Sequence, residues 1–348
     1  MNIEDLMRAT VELKASDLHI SPGQPPIMRI HGELTPLKDQ GPLTADKTKE
    51  LVYSVFSQAQ IKLFEHELEI DFAHAIPNVA RFRVNAFHQT NGVAAVFRVI
   101  PEKIPTLDEL ELPTVFKQLL DLPNGLILVT GPTGSGKSTT LAAMIDYVNR
   151  EQACHVITIE DPIEFMHNSK KSLINQRQIV RDTKDFAAAL RSALREDPDV
   201  ILLGEMRDLE TIRLALTAAE TGHLVMATLH TSSAPRSISR IVDVFPAGEK
   251  NIIRNMLSES LQAVICQTLV KKEGGGRVPA FEIMIGTSAI RNLIREDKIA
   301  QMTSTIQMGG AYGMTTLDQY LQGLVSKQLI TKEAALGSTS TKTLFATT

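Results

Sequence analysis

The stretch Gly131–Ser138 constrains this chain more strongly than any other part of its sequence. It reads Gly-Pro-Thr-Gly-Ser-Gly-Lys-Ser, in which two glycines enclose four residues and a lysine and a serine follow. An apolar run at 126–130 precedes it, and apolar residues at helical spacing follow it between Leu141 and Val148. A turn of small residues between a buried strand and a helix is the setting of phosphate-binding loops. The sequence therefore predicts a strand, a phosphate-binding loop and a helix in succession.

The residue types in this loop each have a chemical reason. Small residues allow backbone N–H groups to close around a phosphate, and the positive end of the following helix faces the anion. Lys137 is expected to reach the β/γ-phosphates, the Ser138 hydroxyl to bind Mg²⁺ and Thr139 to contact the α-phosphate. The predicted nucleotide-binding residues are Thr133, Gly134, Ser135, Gly136, Lys137, Ser138 and Thr139.

Composition narrows the classes of protein that could carry this loop. The chain has 348 residues, of which 43% are apolar and 22% charged, as in globular proteins of two or three domains. Its net charge of −4 gives no general attraction for nucleic acid. The two cysteines lie far apart, which excludes a local zinc ribbon, and the first residues include acids that a signal peptide lacks. We expect a cytoplasmic protein without direct membrane insertion, whose action at a membrane would need a partner.

Two regions joined by a linker are predicted from the pattern of elements. Residues 1–100 mix helices, one of them from 44 to about 64, with short alternating segments, which predicts a small α+β domain with an antiparallel sheet. The stretch 101–122 is punctuated by prolines and is predicted to be a linker. From residue 123, strands alternate with helices, as in a parallel sheet.

The part of the chain after the last parallel strand is predicted to be mostly helical. A helix is expected over 249–268, and a strand over 278–285 interrupts the helical pattern. The Thr/Ser-rich end at 337–348 has few apolar residues and is expected to be disordered.

Two predicted strands end in carboxylates that could serve the phosphate loop. The apolar run 199–203 leads to Gly204 and Glu205, where phosphate-loop folds usually carry an aspartate. Glu205 is expected to bind the metal or to orient water, and a solvated acid at a strand end is the alternative. Residues 159–164 read Ile-Glu-Asp-Pro-Ile-Glu, whose carboxylates repel one another unless a cation lies nearby. Glu160 is therefore a candidate ligand of Mg²⁺, and an exposed acidic turn is the equally good alternative.

Histidines and arginines provide further candidates. His230 follows the predicted strand 224–229 and is expected to sense the γ-phosphate, whereas a structural hydrogen bond suits His223 at least as well. Arg83 and Arg98 lie on two consecutive predicted strands of the first region. An arginine of one domain or subunit can neutralise a phosphate that another holds. Surface ion pairs are the alternative for both arginines.

Together these segments resemble the secretion ATPases of type II, type IV pilus and type IV secretion systems. The resemblance runs from about residue 3 to residue 327. The matching segments are Ala15–His19, Arg81–Asn85, the phosphate loop, Thr158–Glu164, Leu203–Arg207, Thr221–His223 and Leu229–Thr231.

One helix resembles the signature of the pilus-retracting branch of this family. It spans 289–296 and reads Ala-Ile-Arg-Asn-Leu-Ile-Arg-Glu. From its residues alone it is an amphipathic helix, with Ile290, Leu293 and Ile294 expected inward and Arg291 expected outward.

The resemblance implies a fold and a mechanism. It implies an α/β chain with an N-terminal α+β PAS-like domain (1–100) and a C-terminal RecA-like ATPase domain (123–348) with a helical extension. Six such chains are expected to form a ring that binds ATP and Mg²⁺ between the domains. Glu205 corresponds to the family's Walker B acid, and Glu164 to an acid implicated in activating water. Arg83 and Arg98 correspond to the pair that closes on the γ-phosphate.

The output that the resemblance implies is mechanical. ATP hydrolysis is expected to swing one domain against the other and to act on an inner-membrane platform protein at the cytoplasmic side of the pilus base. Retraction of the pilus and twitching motility would follow.

Other nucleotide-driven machines stay open on the residues alone. A ring helicase needs a basic channel with aromatic side chains, whereas this chain has a net charge of −4, no Trp and four Tyr. A small-molecule kinase would leave the acidic and histidine segments unexplained. Within the family, extension ATPases commonly carry a four-cysteine zinc motif that this chain, with two cysteines, lacks. An accessory retraction ATPase is the remaining alternative.

Overall fold

A computed structural model describes residues 2–30, 32–37, 40–77, 79–100 and 103–339. Residues 101 and 102 of the predicted linker and residues 340–348 of the predicted disordered end lie outside these ranges. The chain forms two compact units, residues 1–103 with 162–166 and residues 104–161 with 167–348. The domain boundaries expected at residues 100 and 123 stay predictions.

The first unit is built on an antiparallel sheet. In chain order its elements are α1 (Ile3–Glu12), β1 (Asp17–Ile20), β2 (Ile27–Ile30), β3 (Glu33–Pro36), α2 (Ala45–Tyr53), α3 (Gln58–Glu67), β4 (Glu69–Ile76), β5 (Ala80–Gln89) and β6 (Gly92–Ile100). The strand order is β3-β2-β1-β6-β5-β4, and every pairing is antiparallel. This confirms the α+β region that the alternating segments predict.

Alternation along β5 and β6 sets the two faces of this sheet. Phe82, Val84 and Phe97 are fully buried in the core of the unit. Successive side chains of a strand point to opposite faces, so Arg83 lies on the face away from that core. Arg83 of β5 pairs in register with Arg98 of β6, which brings the two predicted arginines side by side.

The second unit is built on a mainly parallel sheet. Its elements are α4 (Val115–Leu120), β7 (Gly125–Thr130), α5 (Lys137–Glu151), β8 (His155–Glu160), β9 (Leu173–Gln178), α6 (Phe186–Ala193), β10 (Val200–Leu203), α7 (Leu209–Glu220), β11 (Leu224–Leu229), α8 (Ala234–Asp243), α9 (Lys250–Ser260), β12 (Leu261–Lys271), β13 (Arg277–Ile285), α10 (Ser288–Arg295), α11 (Met302–Met308), α12 (Leu317–Ser326) and α13 (Lys332–Leu336). The order is β13-β12-β7-β11-β10-β8-β9, and only the β12–β13 pairing is antiparallel.

The strands around the phosphate loop are buried on both faces. Every residue of β7, β10 and β11 is buried, as their continuous apolar runs predict. Because these strands are parallel, their carboxyl ends lie at one edge of the sheet, which carries the phosphate loop and the residues after β10 and β11. The second unit therefore gathers several candidate residues at a single edge.

The helix expected over 249–268 is wrong in its second half. Helix α9 ends at Ser260, and Leu261–Lys271 forms the long strand β12, paired with β7 and β13. An apolar run without alternation fits a buried strand and a buried helix equally well. The β-branched residues Val264, Ile265 and Thr268 favour the strand.

The helix expected from 44 to about 64 is also corrected, because it forms two helices, α2 and α3. Ser57 begins α3 with a capping box, in which its hydroxyl accepts from the Gln60 N–H and the Gln60 side chain accepts from the Ser57 N–H. The strands β3 and β9 were not predicted. Among the described residues, no helix combines the length and the apolar character that a membrane crossing needs.

Candidate functional site

The phosphate loop joins β7 to α5, as its sequence predicts. Gly134 and Gly136 have φ of 77° and 88°, a region that glycine adopts without steric cost. Helix α5 begins after Gly136 without a side-chain cap, so the first backbone N–H groups are left for an anion. The Lys137 ammonium donates to the carbonyl oxygens of Gly131 at 2.7 Å and Pro132 at 3.0 Å. The loop thus has the geometry of an anion-binding turn.

The side chains of the loop differ in their exposure. Thr133 and Ser138 are exposed and Thr139 is half-buried. Ser135 is 3% exposed, and its Oγ has no hydrogen-bond partner among the described residues. A buried hydroxyl without a partner costs free energy, and a phosphate oxygen would satisfy it. The residues of this loop therefore fit a bound nucleotide.

Glu205 follows β10 and contacts a histidine and an arginine. Its Oε1 lies 3.3 Å from His230 Nε2, and its Oε2 lies 2.7 Å from Arg207 Nε. Its side chain is 18% exposed, against 69% for Arg207 and 47% for His230. The structure thus brings together Glu205 and His230, two candidates from separate sequence segments. Arg207 was not predicted for a role, although its position two residues after a strand-end acid is a signal for such a pairing.

Glu160 is the last residue of β8 and lies next to Gly204, the residue before Glu205. Its Oε1 accepts from Thr158 Oγ1 at 2.6 Å and from Gln176 Nε2 at 3.3 Å. A Cβ on Gly204 would lie 3.3 Å from the Glu160 Cα and from the Ile159 carbonyl oxygen. The two strand ends therefore pack closely, and a glycine at position 204 permits this approach.

The donors available for a metal are oxygen atoms that Mg²⁺ accepts. Ser138, Glu205 and Glu160 offer a hydroxyl and carboxylates, the ligand types that Mg²⁺ prefers. Across the described ranges, no group of three or more His, Cys, Asp or Glu side chains could hold a metal ion. A Mg²⁺ ion bound by these residues would take its further ligands from nucleotide phosphates and water.

The first unit holds the remaining candidates. Arg83 forms a two-pronged ion pair with Asp71, with Nε–O distances of 3.0 and 3.1 Å and an Nη2–Oδ2 distance of 2.6 Å. The Arg83 Nη1 also lies 3.4 Å from Glu164 Oε1. Two predicted catalytic residues from distant segments are thus in contact. Glu164 belongs to the first unit, whereas Glu160 belongs to the second.

Arg98 is held by a buried carboxylate. Its Nε donates to Asp17 Oδ1 at 2.9 Å, and the Ser16 hydroxyl donates to Asp17 Oδ2 at 2.7 Å. Burial alone would raise the pKa of Asp17, but the hydrogen bonds from Arg98 and Ser16 hold this pKa below its usual value. Asp17 and Asp71 were not predicted as partners of the arginines. Both aspartates lie on strands next to those of the arginines, and opposite charges on neighbouring strands are the sequence signal that could have predicted these pairs.

His223 makes a structural hydrogen bond, in line with the alternative. Its Nδ1 lies 3.0 Å from the carbonyl oxygen of Ala218 in α7. It lies at the start of β11, whereas His230 lies just after the strand ends. The two histidines therefore do not share a site.

The half-buried Glu282 contacts the start of the helix that follows His230. The backbone N–H of Ala234, the first residue of α8, donates to Glu282 Oε1 at 2.7 Å. Burial is the main cause that raises the pKa of Glu282. Glu282 lies on β13 and was not predicted. Its hydrogen bond to Ala234 holds the last part of the segment between β11 and α8 in place.

The expectation that Arg291 points outward is wrong. Its guanidinium is half-buried and donates to the backbone carbonyl oxygens of Ser258 at 2.7 Å and Gly286 at 2.7 Å. It also donates to Gln262 Oε1 at 3.2 Å. The unpaired carbonyls at the end of α9 attract this cation, which helical periodicity alone could not reveal.

Known proteins are similar to this chain in sequence. The family model described as "Type II/IV secretion system protein" matches residues 2–274. The type IV pilus retraction ATPase PilT of Pseudomonas aeruginosa is 62% identical over 335 residues, which are 96% of this chain and 97% of that protein. A twitching motility protein of Neisseria gonorrhoeae is 58% identical over 89% of this chain and 83% of that protein.

A solved structure agrees with these sequence matches. The crystal structure of the pilus retraction motor PilT with bound ADP superposes with a TM-score of 0.91 at 49% identity, covering 99% of this chain and 98% of that chain. The expected fold class is confirmed: the chain is α/β, with an N-terminal α+β PAS-like domain and a C-terminal RecA-like ATPase domain that carries a helical extension.

Proposed function

Because the chain belongs to the type II/IV secretion system protein family, we propose that it hydrolyses ATP to power the retraction of a type IV pilus. The chain is an ATPase of this family and binds a nucleotide. Twitching motility is the output that we assign to it, since the gonococcal relative is a twitching motility protein.

One observation carries this proposal. A phosphate loop at a β7–α5 junction stands at the same sheet edge as Glu205 and His230, in a chain 62% identical to a pilus retraction ATPase over almost its full length. The loop supports nucleotide binding, the acid supports hydrolysis, and the identity supports retraction as the work performed.

The residue roles follow from chemistry. Lys137 and the N–H groups at the start of α5 would bind the phosphates, with Thr133, Gly134, Ser135, Gly136 and Thr139 completing the loop. Ser138 and the acids Glu205 and Glu160 would hold Mg²⁺, which supplies charge neutralisation when bound.

Charge-bearing residues outside the loop would act on the reacting groups. Glu205 and Glu164 would orient and activate the attacking water. Arg83 and Arg98 would neutralise charge that develops on the γ-phosphate, and His230 would sense that phosphate.

The assembly and its location belong to the same proposal. The chain would work as an oligomer within the pilus machinery, as a ring of six identical subunits. Its partner would be the platform protein of the inner membrane, at the cytoplasmic side of the pilus base. Neither nucleic acid nor direct insertion into the membrane has a part in this mechanism.

A deletion strain tests the biological role. Cells without this chain should carry abundant pili and should not move by twitching, because pili extend but do not retract. Complementation with the natural chain should restore retraction, whereas Lys137→Ala should not. Bald cells would show an extension ATPase instead, and a strain that retracts normally would contradict the proposal.

The purified chain tests the biochemical role. Lys137→Ala should reduce ATP turnover to background, because the ammonium that neutralises the β/γ-phosphates is lost, and its circular dichroism spectrum should stay unchanged. Single-stranded DNA should not stimulate turnover of the natural chain. Stimulation by DNA would favour a nucleic-acid motor. Such a motor needs a channel lined by basic and aromatic side chains, whereas this chain has no Trp and four Tyr.

A further inference from the structure

Gln267 lies on β12 against the phosphate loop and is 4% exposed. Its Nε2 donates to the backbone carbonyl oxygen of Ser135 at 2.9 Å, and its Oε1 accepts from Thr140 Oγ1 at 2.7 Å. Ser135 lies in the middle of the loop, and Thr140 lies in the first turn of α5. One buried amide thus ties the loop to the helix that follows it.

The backbone around Gln267 closes against the same loop. A Cβ on Gly131 would lie 2.2 Å from the Gln267 carbonyl oxygen, and a Cβ on Gly136 would lie 2.9 Å from Gln267 Nε2. Neither distance is possible for a real side chain at an unshifted position. The glycines at both ends of the loop therefore leave room for β12 as well as for a phosphate.

The amide group is suited to this place by its two functions. It needs a donor toward a carbonyl and an acceptor toward a hydroxyl, and a primary amide supplies both. A carboxylate would face the Ser135 carbonyl with a lone pair, and an apolar side chain would leave two buried polar groups without partners. The contacts thus specify the residue type as well as its size.

We propose that Gln267 is a positioning residue for the nucleotide. It holds the loop in the shape whose backbone N–H groups bind phosphate, so that less conformational freedom is lost on binding. This inference rests on the proposed function of the loop as an ATP site. Gln267 acts through Ser135 and Thr140 and touches no reacting atom, so its effect falls on nucleotide affinity more than on the rate of hydrolysis.

The chain offers a matched control on the same strand. Gln262 of β12 also donates to a backbone carbonyl, that of Asn124 at 3.1 Å, and accepts from a side chain, Arg291, at 3.2 Å. It lies at the amino end of the strand, away from the loop. Gln262→Met and Gln267→Met thus remove the same kinds of hydrogen bond at opposite ends of β12.

The test measures binding of ADP and ATP turnover for both variants. Gln267→Met should raise the Kd for ADP and the KM for ATP about tenfold, the effect of one or two lost hydrogen bonds. Its kcat should change by less than about twofold, because the groups that act on the γ-phosphate are untouched. Gln262→Met should leave both ADP affinity and KM within about twofold of the natural chain.

Several outcomes would overturn the inference. Natural affinity in Gln267→Met would do so, and so would an equal loss of affinity in the two variants, since that loss would reflect general destabilisation. Failure of the natural chain itself to bind ADP would overturn the proposed function instead.

A second variant covers the case in which Gln267→Met does not fold. Thr140→Val keeps the shape of the side chain and removes only the donor to Gln267 Oε1. It should raise the Kd for ADP about threefold, less than the loss of both bonds. Natural ADP affinity in Thr140→Val would contradict the coupling through Gln267.

Discussion

The charged residues proposed for catalysis are paired in opposite ways in the two units. In the first unit, Arg98 is 64% exposed and its partner Asp17 is 7% exposed. In the second unit, Glu205 is 18% exposed, and its partners Arg207 and His230 are 69% and 47% exposed. In both pairs the acid is less exposed than its partner, but the proposed catalytic member is the exposed cation in one unit and the less exposed acid in the other.

This difference has an energetic consequence. An exposed arginine changes partners at low cost, because water already screens most of its charge. A buried acid pays a larger desolvation cost and needs neighbours that stabilise its charge. Replacing Arg98 should therefore alter function more than stability, whereas replacing its partner Asp17 should alter stability.

The largest expected effect comes from Glu205, the catalytic acid proposed for the second unit. Glu205→Gln keeps the size of the side chain and removes its charge and its capacity to accept a proton. ATP turnover measured by phosphate release should fall about a thousandfold. The Kd for ADP should change little, because the phosphate loop is intact. Turnover within tenfold of the natural chain would remove Glu205 from the chemical step.

A smaller loss of turnover is expected from the exposed cation. Arg98→Ala should lower ATP turnover about a hundredfold, as does the loss of one group that stabilises transition-state charge. The free energy of unfolding should fall by about 1 kcal/mol, less than for Asp17→Asn, because the buried Asp17 carboxylate loses the hydrogen bond from Arg98 but keeps the one from Ser16. A large loss of stability with normal turnover would reverse the contrast between the two units.

Asp17, the acid that pairs with Arg98, is expected to affect turnover least. Its replacement should instead lower the stability of the fold. Asp17→Asn should lower the free energy of unfolding by about 2 kcal/mol at neutral pH, because it removes charge-assisted hydrogen bonds to a buried carboxylate. Denaturant titrations of the natural chain and the variant measure this difference.

The pH dependence of that difference identifies its origin. The pKa of Asp17 in the folded chain lies below its usual value of 3.8, so the ionised carboxylate stabilises the fold above that pH. This stabilisation is lost as the pH falls through the folded-state pKa. The gap between the natural chain and Asp17→Asn should therefore be constant at neutral pH and should narrow in acid. A gap that does not depend on pH would indicate a packing effect.

Local patterns in the sequence predicted the phosphate loop and most of the strands around it. The loop, its strand and its helix are adjacent in the chain, so the spacing of their residues is enough to predict all three. The neighbouring positions of Arg83 and Arg98 were also accessible, because two consecutive strands and a short turn fix which residues pair.

Contacts between distant segments could not be predicted in this way. Gln267 lies more than a hundred residues from Ser135 and Thr140, and its strand has an apolar pattern that a helix could share. Its amide within an apolar run was a signal, since a buried polar group needs partners, but the sequence does not identify them. The orientation of Arg291 was wrong for the same reason, because one of its carbonyl partners, Ser258, belongs to another helix.

The close approach of β8 and β10 at Gly204 also limits how this site can change over evolutionary time. An aspartate at position 204, the more usual place for the acid, would bring its Cβ within 3.3 Å of the β8 backbone. The neighbouring β8 backbone would then have to move by a few tenths of an ångström. Moving the acid from position 205 to position 204 therefore requires a small shift of β8 against β10 as well as the substitution itself.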